Sequence, residues 1–191
     1  MKNIVMIIPP ELICQELEDV MKKLNSKYNT TEALLYKPHI TLKSLGNIKN
    51  KDLENVVLGI SNIVDTTKPL SVNMHGLRFY GSKEDIPGVY ITVERRPELF
   101  SLHKRMVKKL GKYDDGKDRG YKELEGWNPH LTLVGDDINV ENLERVKREL
   151  QHMTYSRSFP VDKITLIRHT EERVIPSHLW YINFWLPTNL Q

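Results

Sequence analysis

Pro38-His39-Ile40-Thr41-Leu42-Lys43 and Pro129-His130-Leu131-Thr132-Leu133-Val134 follow one pattern: proline, histidine, an aliphatic residue, threonine, leucine. A lone His-x-Thr says almost nothing. Two copies in the same extended context, 91 residues apart in a chain of 191, create a definite expectation. Side chains of a strand alternate between its faces. His39, Thr41 and Lys43 therefore read as one face, with Ile40 and Leu42 on the other; His130 and Thr132 likewise stand opposite Leu131 and Leu133. The apolar faces read as anchors in a core, and each polar face sets an imidazole and a hydroxyl about 7 Å apart along the backbone. Two such strands side by side would surround a small anion with two imidazoles and two hydroxyl donors.

The segments around the motifs repeat as well. Ile4 to Ile8 is a β-branched apolar run closed by Pro9 and Pro10, and helical spacing of apolar residues follows to about Lys27. The first motif strand spans Lys37 to Leu45, a second helix spans Asp52 to Ile63, and strands are expected over Leu70 to Tyr80 and Val89 to Glu94. Pro97 suits the first turn of a third helix reaching Leu110. Gly111 to Gly126 is glycine-punctuated and charged, and reads as a surface loop. The second motif strand spans Trp127 to Val134, a fourth helix spans Val140 to Leu150, and strands over Phe159 to Arg168 and Leu179 to Leu186 close the chain.

The order strand, helix, motif strand, helix, strand thus occurs twice, over about 4–80 and 89–186. It predicts an α+β fold. A single domain spanning 1–191 would be bilobal, its two lobes related by a pseudo-two-fold axis. Each lobe would be a mainly antiparallel sheet with outer helices, and the two would flank a central groove where the motif strands meet.

Composition leaves the function class open. A net charge of +3 does not announce a nucleic-acid binder. The single cysteine, Cys14, excludes an intrachain disulfide and a cysteine-based metal cluster, and its apolar setting reads as a structural thiol. No apolar run approaches a membrane span, so a cytoplasmic protein without membrane contact is expected, with a monomer as the default.

Phosphoryl chemistry fits the paired motif. One neutral histidine can take a proton from an attacking oxygen while a protonated one donates to the leaving oxygen. Imidazole suits both tasks because its ordinary pKa is about 6.5. Threonine hydroxyls can hold the non-bridging oxygens. A His-x-Thr pair lacks the carboxylate or further histidine of a metal site, so no metal or other cofactor is implied.

Paired His-x-Thr strands in a chain of this length resemble the 2H phosphoesterase superfamily, which includes LigT-like RNA 2′,3′-cyclic phosphodiesterases and the 2′-5′ RNA ligases. The resemblance implies hydrolysis of a 2′,3′-cyclic phosphate or a 2′-5′ linkage on RNA or a nucleotide. It casts His39 and His130 as the acid–base pair and Thr41 and Thr132 as phosphate ligands. Further candidates for substrate contact are Lys43 on the groove face, Tyr36 and Trp127 three residues before each histidine, and Arg168 at a strand end. Two alternatives stay open: a module that binds RNA ends or nucleotides without turnover, and a phosphodiesterase for cyclic oligonucleotide signals.

Overall fold

The structure is a computed structural model describing residues 3–80, 87–114, 126–169 and 179–187; the side chains of 169, 179 and 180 are not described. In chain order the elements are β1 (Asn3–Ile7), α1 (Glu11–Tyr28), β2 (Ile40–Gly46), α2 (Leu53–Val64), β3 (Leu70–Tyr80), β4 (Gly88–Val93), α3 (Pro97–Leu110), β5 (His130–Val134), α4 (Val140–Leu150), β6 (Ser156–Val161), β7 (Lys163–His169) and β8 (Leu179–Trp185). Single-turn 3-10 segments cover Glu32–Leu35, Asn50–Asp52 and Gly111–Tyr113. Most of the expected 111–126 loop, and His178, lie outside the described residues.

Local chemistry sets the element ends. Pro10, at φ −53°, stands just before α1, and Asn29 ends that helix in the left-handed region at φ 55°. Asparagine tolerates this conformation better than most residues. Pro97 fills the first turn of α3, where its missing N–H costs nothing. The Asn139 side chain caps α4 by accepting from the Asn142 N–H at 2.8 Å.

Among the described residues all eight strands form one sheet in the order β6-β3-β4-β5-β2-β1-β7-β8. Every neighbouring pair is antiparallel. The two lobes are the two halves of this sheet, and each borrows a strand from the other repeat. β3 crosses over to pair with β4, and β7 returns to pair with β1. The centre of the pseudo-symmetry is the β2–β5 contact, where Ile40 faces Leu131. Helices cross over too: α1 packs on β5 and α3 on β2. They cover one face of the sheet and bury one core containing Ile40, Leu42, Leu131 and Leu133. A small cluster of Ile4, Met6 and Ile167, with Ile8 and Tyr36 packed against it, lies apart from that core.

Two sequence expectations change. The strand expected over 159–168 is two strands, β6 and β7, divided at Asp162. They sit in opposite halves of the order, because β6 joins β3 while β7 joins β1. In β2, strict alternation fails after Thr41. Met6 faces Thr41, but Val5 faces Lys43, so Leu42 and Lys43 together oppose one residue in a β-bulge. Lys43 is thereby aligned with Val5, a residue of the main core, and leaves the face that holds Thr41.

Candidate active site

The register of the central contact arranges the motif residues diagonally. Moving one residue either way from the Ile40–Leu131 pair sets His39 across from Thr132 and Thr41 across from His130. All four side chains line one cavity of about 330 Å³. That volume suits a small ligand such as a nucleotide. The remaining walls include Tyr36, Lys37, Tyr90, Glu32 and Asp136.

The two histidines are held alike. His39 Nδ1 lies 2.8 Å from the Lys37 carbonyl, and His130 Nδ1 lies 2.8 Å from the Asn128 carbonyl, each two residues back. A carbonyl can only accept, so Nδ1 carries the proton in both rings and Nε2 is the nitrogen left for chemistry. Each ring also meets a tyrosine edge: Tyr36 stands 5.9 Å from His39 and Tyr90 stands 4.6 Å from His130, both steeply inclined to the imidazole plane. Behind Tyr90 lies Tyr80, 5.0 Å away, whose hydroxyl accepts from the Asn128 side chain at 3.1 Å.

Burial disfavours the imidazolium form and lowers the pKa of both histidines; for His39, the neighbouring His130 lowers it further. The carbonyl bond to each ring acts in the opposite sense. Two imidazoles that oppose each other's charge are suited to a state with one protonated and one neutral. Glu32 shifts the other way. Its contact with Asp136, together with burial, pushes its carboxyl up to about 7. Its Oε2 accepts the Asp136 N–H at 2.9 Å, and the Asp137 carboxylate accepts the Glu32 N–H at 2.9 Å. These bonds fasten the 32–35 turn to the end of β5. A Cβ at Gly135 would fall 2.4 Å from Glu32 Oε2, so a larger residue there would push the carboxylate aside.

Of the further candidates, only Tyr36 reaches the cavity. Lys43 is 1% exposed and ion-paired with Asp114, just beyond α3, so its assignment to the groove is corrected. Trp127 is also buried; it stacks on His103 at 4.0 Å between centroids and 6° between planes. His103 in turn bonds the Leu42 carbonyl through Nδ1 at 2.7 Å, so Trp127 belongs to the packing beneath the motif strands. Arg168 lies across from Asn3 and donates to Asn50 Oδ1 at 2.5 Å, and it does not line the cavity.

The residues that sequence reasoning missed are Tyr90, Lys37, Glu32 and Asp136. Tyr90 sits across from Thr132, a placement visible only once β4 is known to pair with β5. Nothing in the local sequence marks Glu32 or Asp136, which come together from segments about a hundred residues apart. Among the described residues no three His, Cys, Asp or Glu side chains converge as a metal site requires.

A family model for the 2′-5′ RNA ligase superfamily matches residues 9–173. The chain belongs to that superfamily. A protein of Bacillus mycoides (strain KBAB4) that carries a provisional phosphoesterase name is 26% identical over 171 residues, covering 90% of both chains. The solved structure of TT0787 from Thermus thermophilus superposes with a TM-score of 0.67 at 14% identity, covering 97% of this chain and 98% of that one. LigT of E. coli, crystallised with 3′-AMP, superposes with a TM-score of 0.58 at 15% identity, covering 98% of each chain. At such identities these structures establish a shared fold. Membership in this superfamily supports phosphoesterase activity in general terms.

Proposed function

We propose that this protein is a metal-independent phosphodiesterase that opens a ribose 2′,3′-cyclic phosphate or cleaves a 2′-5′ phosphodiester. The observation that carries the proposal is the matched pair of Nδ1-to-carbonyl bonds, which leaves two Nε2 atoms for chemistry in a cavity that also holds two threonines. In this reading one histidine, neutral at Nε2, takes a proton from water. The water oxygen forms a bond to phosphorus as the bond to a ribose oxygen breaks, and the other histidine donates its Nε2 proton to that oxygen. Thr41 and Thr132 donate to the non-bridging oxygens, on which charge builds in the transition state. Lys37, in the cavity wall, adds positive charge, although Glu11 is 3.0 Å from its ammonium. The 3′-AMP in the LigT crystal carries a phosphate on a ribose oxygen, the class of group this cavity is proposed to accept.

Hydrolysis of a 2′,3′-cyclic mononucleotide in excess EDTA, with His39→Ala and His130→Ala beside the wild type, tests the proposal. Turnover that survives EDTA and falls by about a hundredfold to ten-thousandfold in each variant is expected. Wild-type binding of the nucleotide without turnover would favour a non-catalytic module instead.

A further inference from the structure

The active cavity has a neighbour. A second cavity of about 360 Å³ lies along the outer edge of the sheet, and Lys37 lines both. Its far wall is formed by Tyr181 and Asn183 of β8, an edge strand of the sheet among the described residues. Tyr36 connects the two regions: it lines the active cavity and packs against the cluster of Ile4, Met6 and Ile167, and Ile167 pairs with Tyr181.

Strand registers put this edge on the same face as the motif threonines. Thr41, Met6, Thr165 and Asn183 form one cross-strand row through β2, β1, β7 and β8. Three strand spacings make the row about 14 Å long. Tyr181, Asn183 and Trp185 alternate on that face, and the two aromatics are 39% and 63% exposed, unusual openness for such large rings. The amide between them is oriented. Buried Thr165 donates to Asn183 Oδ1 at 2.8 Å, which commits the oxygen and leaves the Nδ2 hydrogens as donors. Lys163 lies 4.9 Å over the Trp185 ring. Glu11 and Asp162 also line the cavity and balance its two lysines, so attraction here comes from stacking and hydrogen bonding more than from net charge.

We infer that β8 is a subsite for single-stranded RNA. The chain attached to the reacting nucleotide crosses Lys37 and lays its bases on Tyr181 and Trp185, while Asn183 donates to a phosphate or base oxygen between them. Exposed rings in alternating register suit this task because every base has a π-face to stack. The inference rests on the phosphodiesterase reading and narrows its substrate to an oligonucleotide rather than a lone nucleotide.

The test compares kcat/KM for a 2′,3′-cyclic mononucleotide with that for a trinucleotide ending in the same cyclic phosphate, in wild type, Tyr181→Ala and Trp185→Ala. Wild type is expected to prefer the trinucleotide by about tenfold or more, and each variant to lose most of that preference. Asn183→Asp serves if an alanine variant fails to fold: it keeps the acceptor for Thr165 but turns a donor into a negative charge, and the preference should again fall. Cleavage of both substrates with no preference, or with a preference that the variants leave intact, overturns the subsite while the phosphodiesterase reading stands. If wild type cleaves neither, that reading fails and tryptophan fluorescence decides the subsite. Saturable quenching by a 3′-phosphorylated trinucleotide that disappears in Trp185→Ala supports it; absence of quenching overturns it. Concentration-dependent dimerisation that Trp185→Ala abolishes, with an unchanged trinucleotide preference, also overturns it and assigns the edge to a second copy of the chain.

Discussion

Replacing Lys43 by methionine tests the bulge in β2 and, with it, which side of the sheet this residue serves. Methionine keeps the apolar stem and removes the ammonium from a side chain only 1% exposed. The Asp114 carboxylate it leaves behind is 20% exposed. A hydrogen bond to a charged group contributes about 1.5–3 kcal/mol, and stranding a fully buried partner raises the loss to about 3–5 kcal/mol. Because Asp114 still reaches water, the loss belongs near the lower figure, about 2 kcal/mol. In a chain of this length each kcal/mol lowers the unfolding midpoint by about 2–4 °C, so a fall of about 4–8 °C is expected by differential scanning fluorimetry. Adding Asp114→Asn removes the charge that Lys43 balanced and should recover part of the loss. KM for a cyclic phosphate, measured well below the midpoint, should change by less than about twofold, since the ammonium is not in the cavity. An unchanged midpoint together with a KM raised about tenfold would refute the reasoning, placing the lysine on the phosphate side.

Four further outcomes are expected. Since burial lowers both histidine pKa values, kcat/KM should peak below about pH 6.5 and fall as pH rises and the proton of the acid partner is lost; a maximum in the alkaline range would contradict the electrostatics. The same groups contribute stability that is full above about pH 6.5 and lost as pH falls through their lowered values, because the unfolded chain takes up protons first; urea titrations across that range check the sign. Trp127→Ala should cost about 3–5 kcal/mol of stability, read from urea unfolding, because a buried ring stacked on His103 leaves a cavity; unchanged stability with lost nucleotide affinity would return Trp127 to the ligand. Glu32→Gln should lower KM for an anionic substrate above pH 7, where the wild-type carboxyl pushed up to about 7 becomes charged, and should change KM less below that pH; equal effects at both ends would show that its charge does not reach the substrate.

The superfamily and the α+β class were legible from short-range pattern, and the meeting of the two motif strands from the repetition of that pattern along the chain. A duplicated Pro-His-aliphatic-Thr-Leu run, alternation along a strand and helical spacing are all properties of neighbouring residues. The same alternation failed for Lys43, since one extra residue in a strand inverts every later side chain and only the partner strand reveals the bulge. Trp127 and Tyr36 hold matching sequence positions, yet one stacks on a helix residue beneath the sheet while the other lines the cavity. Tertiary structure alone decided that β3 and β7 exchange between the repeats and that Tyr90 stands against His130. It also brought Glu32 to the end of β5 and the β8 edge onto the face of the motif threonines. The division has one physical cause: local sequence sets which face a side chain takes within its own strand, whereas its neighbours across the sheet are set by long-range pairing, which no stretch of adjacent residues encodes.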